Sequence, residues 1–197
     1  MRIDRAIVST PVGPMLALAS ADALCALEFQ SEGRLSRLHT RLSRYYPDAV
    51  VADGWNDVLA ATRGWLDRYF DGSSADHAEV PLDARGTAFE RSVWSALRTI
   101  EPGSTSSYGE VARQIGAPSA SRAVGLANGA NPVAIVVPCH RVIGASGTLV
   151  GYGGGLDRKA WLLTHEQRHW PSPEPRPRAV PRRRDQADPP NRLPFER

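Results

Sequence analysis

The stretch Ala134-Ile135-Val136-Val137-Pro138-Cys139-His140-Arg141-Val142-Ile143 decides how the rest of the chain is read. Its first four residues are apolar and mostly β-branched, the composition of a short buried strand. Pro138 ends that strand, because proline has no N–H to donate to a ladder. A cysteine, a histidine and an arginine follow at once. Free cysteine is among the most buried residue types, so a structural thiol is one reading of Cys139. A nucleophile is the other: only the thiolate attacks, and an adjacent base or positive field favours it. His140 is the candidate base, and a carboxylate would be needed to orient its ring. Spacing leaves that carboxylate open. The second cysteine, Cys25, lies mid-strand with no ionisable neighbour before Glu28 and reads as structural.

Downstream, glycines at 144, 147, 151, 153, 154 and 155 make a loop that lets backbone approach a ligand closely. Asp157 is the expected N-cap of a helix over 158–165. From Gln167 the composition collapses: eight prolines fall in 31 residues, with an Arg182-Arg183-Arg184 cluster. Residues 167–197 are therefore expected to be disordered, either an inert extension or a weak nonspecific attraction to phosphates.

Upstream, Thr87 and Glu90 form a capping box ahead of the apolar stripe Phe89, Val93 and Leu97, which Pro102-Gly103 stops. Ser107 and Glu110 offer a second box before Val111, Ala112 and Ile115. Gly116-Ala117-Pro118 is a tight break, and a further helix is expected over 119–130. By pattern alone this is an αα-hairpin or a helix-turn-helix. Towards the N-terminus, apolar stretches at Ala6–Val8, Met15–Ala19 and Leu24–Phe29 are broken by turn residues and read as strands of a meander or two hairpins. Leu35, Leu38, Leu42 and Tyr45 have helical spacing. A second helix is expected over 55–70, with Trp55, Leu59, Leu66 and Tyr69 or Phe70 inward. The polar residues 71–86 mark a boundary.

The 197 residues suffice for one mid-sized or two small domains. No window is apolar enough to span a membrane, and the first residues lack a signal-peptide core, so a cytoplasmic protein with both thiols free is expected. Two cysteines exclude a disulfide framework and, without a C-x-x-C pair, argue against a structural zinc site. Residues 167–197 carry eight arginines and four acids, a net +4 against +3 for the whole chain. The basic pI is thus a property of the tail, and nucleic-acid binding must be argued from a local surface.

Pro138-Cys139-His140-Arg141-Val142-Ile143 resembles the active-site signature of the O6-alkylguanine-DNA alkyltransferases. So do its surroundings: Ser121-Arg122-Ala123-Val124-Gly125, Asn131-Pro132, Tyr152-Gly153-Gly154-Gly155, Trp161-Leu162-Leu163 and His165-Glu166. The close resemblance covers about residues 85–166. It implies an α/β protein: a ribonuclease-H-like N-terminal sheet with helices over 1–80, then a mostly helical domain over 81–166 carrying the helix-turn-helix. It implies that Cys139 accepts the alkyl group, that His140 takes its proton through a water, and that Glu166 orients His140. Asn131 would be the hinge bracing the site, and Tyr108 would donate a proton to the departing guanine. Arg122 would fill the place of the rotated base, with Ser121, Ala123, Gly125 and Tyr108 on the same DNA face. Pro138, Val142, Tyr152 and Gly153 would form the base pocket. No cofactor or metal is implied. The partner would be double-stranded DNA with alkylated guanine or thymine, bound by a monomer that could act cooperatively along DNA.

The physics agrees with these roles. An O6-alkyl carbon is a poor electrophile, so the sulfur must be a thiolate and the leaving oxygen needs a proton. The base must also leave the stack, at a cost of a few kcal/mol. Some members carry serine at the place of Gly153, which would remove a side-chain contact here. Three rivals compete. A non-catalytic damage-recognition relative typically has tryptophan at the cysteine position; a methylation-switched regulator needs a further domain; a cysteine hydrolase needs a separated histidine and an oxyanion hole.

Overall fold

The computed structural model describes residues 1–172. Three N-terminal strands, β1 (Arg2–Val8), β2 (Met15–Ala19) and β3 (Leu24–Phe29), form an antiparallel meander. Its first turn closes through Gly13, whose φ of 102° suits glycine. Helix α1 (Glu32–Tyr45) then leads to β4 (Val50–Asp53), which pairs parallel with β1, so the sheet order is β3-β2-β1-β4. β4 was not expected from sequence. It is short and mostly exposed, so no apolar alternation announces it.

Helix α2 (Asp57–Asp71) starts one residue after its cap, Asn56, which accepts a hydrogen bond from the Leu59 N–H. Trp55 therefore precedes the helix and is exposed, contrary to expectation, while Leu59, Leu66 and Tyr69 are buried. Helix α3 (Ala88–Leu97) and helix α4 (Tyr108–Gln114) both open on the expected capping boxes, Thr87/Glu90 and Ser107/Glu110. Helix α5 (Ser121–Gly129) follows a six-residue turn and packs on α3 and α4. Short strands β5 (Ser106–Ser107) and β6 (Val142–Ile143) pair in parallel. Helix α6 (Leu156–His169) completes the described chain. None of these helices is long and apolar enough to cross a membrane.

Three further expectations are corrected. Residues 134–137 are buried but not a strand. Ala134 donates its N–H to Leu27 O of β3, and the chain then reverses through Ile135 at φ 71°. A positive φ is costly for a β-branched residue, about 1–3 kcal/mol, and persists only where the surroundings enforce it. The helix cap is Gly155, at φ 91°, rather than Asp157, which lies in the first turn of α6. Helix α6 also runs past residue 165, so 167–169 are not tail; of the expected disordered tail, residues 173–197 lie outside the described residues.

All six residues of β3 are buried although it is an edge strand. Its open edge is covered by backbone: Leu24 N bonds to Pro81 O, Asp83 N to Leu24 O, and Leu27 N to Pro132 O. One face packs on α1 through Cys25, Ala26, Leu38 and Tyr46. The other joins the main core, which runs from Leu27 and Phe29 through Leu59 and Trp65 to Leu97, Val124 and Val133. Because that core spans both halves, we expect Leu27→Ala to cost about 2–5 kcal/mol in a single urea-unfolding transition. Two separable transitions would contradict a shared core.

Candidate active site

Cys139 begins a 3₁₀ turn, Cys139–Arg141, and is 6% exposed. Asn131 Nδ2 donates to Cys139 Sγ at 3.1 Å and to Val137 O at 2.8 Å, while Asn131 Oδ1 accepts from Val133 N at 3.0 Å. This single side chain therefore fixes the reversal and points a donor at the sulfur. Asn128 Nδ2 holds the Cys139 carbonyl at 3.3 Å. Burial pushes the thiol pKa up, against the lowering effect of the Asn131 hydrogen bond. At neutral pH the sulfur thus needs a base to become a nucleophile.

The candidate base stands next in sequence. His140 is fully buried, and its Nε2 lies 2.8 Å from Glu166 Oε1. Its Nδ1 makes no hydrogen bond to protein among the described residues. Burial lowers the His140 pKa, with Glu166 opposing, so the ring is neutral and able to take a proton. Burial alone would raise the Glu166 carboxyl, but His140 and Arg141 outweigh it and hold it well below the usual carboxylate range. Arg141 Nε and Nη2 reach Glu166 at 2.9 and 2.8 Å, the Tyr69 hydroxyl donates at 2.8 Å, and Gly103 N at 3.2 Å. Neither Tyr69, read only as a core residue of its helix, nor Arg141, read only as part of the signature, was assigned a role in the site from sequence.

A cavity of about 260 Å³ opens over the sulfur. It brings together Cys139 with Tyr108, Gly125, Tyr152 and Gly153. The Tyr108 hydroxyl donates to Val150 O at 3.3 Å, and burial raises its pKa, so it is protonated at neutral pH. The Tyr152 hydroxyl is buried without a hydrogen bond among the described residues. Pro138 and Val142 are buried beside the cavity rather than in its lining. The Val142 carbonyl accepts from Lys159 Nζ at 2.6 Å, which also bonds Val150 O at 2.7 Å. Lys159 is the chain's one lysine, fully buried, with its pKa pushed down to about 8 by burial. Ser121, Arg122 and Ala123 lie outside the cavity, exposed at the start of α5.

Two N-terminal residues complete the site and were not anticipated. Glu28, buried in β3, pairs with Arg34 of α1. Arg34 also donates to Gly129 O at 2.8 Å and Asn131 O at 3.0 Å. A carboxylate inside the apolar run Leu24–Phe29 was the available signal. Arg34 also bears on the glycine at 153: a Cβ there would lie 2.6 Å from its guanidinium, so a serine would require Arg34 to move.

A buried thiol held by an amide, beside a histidine–carboxylate pair and facing a cavity, is the arrangement of proteins that use cysteine as a nucleophile. The family model for the 6-O-methylguanine DNA methyltransferase DNA-binding domain matches residues 88–168. A methylated-DNA–protein-cysteine methyltransferase of Mycolicibacterium paratuberculosis is 49% identical over 173 residues, 86% of this chain and 96% of that protein. Its Salmonella typhimurium counterpart is 43% identical over 171 residues, 84% of this chain and 96% of the other. The crystal structure of Mycobacterium tuberculosis O6-methylguanine methyltransferase superposes with a TM-score of 0.70 at 43% identity, covering 86% of this chain and 96% of that one. The chain belongs to the methylated-DNA–protein-cysteine methyltransferase family.

The Glu166 cluster makes stability pH-dependent. Its folded pKa is depressed, so its stabilising contribution is present above the unfolded value, about 4.3, and is lost as pH falls through the acid range below it. The stability advantage of the wild type over Glu166→Gln, measured by urea unfolding, is expected to shrink as pH drops below about 5. A constant difference would mean the carboxylate is not charged in the folded state.

Proposed function

We propose that this chain repairs alkylated DNA directly, moving the alkyl group from O6 of guanine, and from O4 of thymine, onto Cys139 once per molecule. The observation that carries the reading is Cys139 itself, gripped by Asn131, followed by the His140–Glu166 pair and facing a cavity that Tyr108 overhangs. In the proposed reaction the Cys139 proton passes through a water to His140 Nδ1. The thiolate attacks the alkyl carbon, a C–S bond forms, and the C–O bond breaks with its electron pair leaving on the base. Tyr108 supplies the proton that the departing guanine takes up. Glu166 stabilises the His140 imidazolium. The thioether does not revert, so the protein is consumed.

We read α4, the turn at 115–120 and α5 as a helix-turn-helix that meets double-stranded DNA through Ser121, Arg122, Ala123 and Gly125. A relative from Mycobacterium tuberculosis, 42% identical with a TM-score of 0.69, has been crystallised in complex with DNA, which supports this partner. Arg122, exposed at the first turn of α5, fills the place of the rotated nucleotide. The sheet with its two helices is read as the ribonuclease-H-like unit over 1–80, and residues 81–166 as the alkyl-accepting unit. The protein acts as a cytoplasmic monomer.

Intact-mass analysis after incubation with duplex containing one O6-methylguanine is expected to show one added methyl group, mapping to the peptide with Cys139. Cys139→Ala should bind the alkylated duplex without gaining mass, and full transfer by that variant would overturn the assignment. Arg122→Ala is expected to slow duplex repair by roughly 10- to 100-fold, the rate equivalent of a few kcal/mol of base rotation, and to affect reaction with the free alkylated base less. Equal losses would remove its flipping role.

A further inference from the structure

Beside the Cys139 cavity, α1 and α5 flank a groove of about 560 Å³. From α1 it takes Arg34, Arg37, Arg41 and Arg44. Their spacings of three, four and three residues place all four on one face of the helix. The two carboxylates that line the groove are already matched, Glu28 by Arg34 and Glu90 by Arg41. Arg37 and Arg44 are exposed and make no hydrogen bond or ion pair among the described residues; Arg44 lies over the Tyr45 ring, 5.3 Å from its centre. The groove therefore carries two uncompensated positive charges. On the α5 side Gly125 and Gly129 leave its wall bare, and Leu126 is 74% exposed beside them.

The groove is continuous with the cavity, since Glu28, Arg34, Arg37, Gly125 and Gly129 line both. Arg37 stands where they meet. A nucleotide whose base enters the cavity brings its phosphates to this junction, and the strand must continue from there along some surface. We propose that the α1–α5 groove is a second nucleic-acid track, holding the sugar–phosphate backbone of the alkylated strand next to the rotated nucleotide. Arg37 and Arg44, two helical turns and about 10 Å apart, contact successive phosphates, and Leu126 packs on a sugar or an unstacked base. Contacts to phosphate set the register of a strand without reading its sequence, as repair of lesions in any context requires. The inference rests on the Cys139 reading for where the base sits, and it assigns to the N-terminal half a direct part in holding DNA.

The test is equilibrium binding to duplex carrying one O6-methylguanine, in the Cys139→Ala background so that no transfer intervenes, across about 50 to 200 mM salt. Removing Arg37 and Arg44 together (Arg37→Ala/Arg44→Ala) is expected to flatten the slope of log K against log salt by about 0.9 for each phosphate that is no longer neutralised. Arg44→Ala alone should give half the change, and Arg63→Ala, on α2 outside the groove, none. Circular dichroism verifies the fold of each variant. An unchanged slope in the double variant, or an equal change in Arg63→Ala, overturns the track. Absence of methyl transfer to wild-type Cys139 in the mass measurement would instead overturn the reading of the site, so the two failures are distinguishable.

Discussion

A buried carboxylate must be surrounded by donors or it will not stay charged, and the architecture of this protein depends on how that demand is met at Glu166. Its partners come from three places: the Tyr69 hydroxyl from α2, the Gly103 N–H from the turn after α3, and His140 and Arg141 from the 3₁₀ turn, all converging on α6. Arg141 reaches on to Ile100 O at 2.5 Å. Loss of any one donor leaves the others facing an under-compensated charge, so the cluster is cooperative. It also couples halves of the chain, because Tyr69 stacks on Trp65 at 5.4 Å within the N-terminal part while its hydroxyl serves the site.

Opposite this anchor a second polar device works from the N-terminal side. Arg34 crosses from α1 to bind Glu28 of β3 and the carbonyls of Gly129 and Asn131. Those carbonyls frame the residue whose amide touches the sulfur. Helix α5 and the sheet that closes the core are therefore fastened at the same point. Lys159 does the like behind the lining, tying Val142 to Val150 and so to the hydroxyl of Tyr108. The cavity is lined by the rings of Phe29, Tyr108 and Tyr152 together with glycine backbone, and buried cations hold the surrounding carbonyls in place.

The electrostatics of the sulfur follow from this enclosure. Burial raises the Cys139 pKa, the neighbouring amide lowers it, and the balance favours the thiol at rest. A low-pKa thiolate exposed to solvent would react with many oxidants and electrophiles. A buried thiol that stays protonated until a base takes its proton is reserved for an electrophile that fits the cavity. For a protein consumed by one reaction, that reserve matters more than speed.

Local chemistry was enough to read much of this chain. Capping boxes at Thr87/Glu90 and Ser107/Glu110, apolar stretches broken by turn residues and the Cys139-His140 pair with its spaced companions all act within a few residues, so they are legible without the fold. What stayed hidden depends on distant neighbours. Residues 134–137 look like a strand because they are buried and branched, yet β3 pairs with Ala134 and the Asn131 amide turns the chain back through Ile135. The β4 strand is exposed and makes sense only beside β1. Tyr69 and Arg141 acquire meaning through a carboxylate 97 and 25 residues away, and Glu28 and Arg34 through one another. Hydrophobic period and turn chemistry select the elements; which buried charge meets which donor is settled when those elements pack, since the cost of an unpaired charge is felt only once water has been excluded.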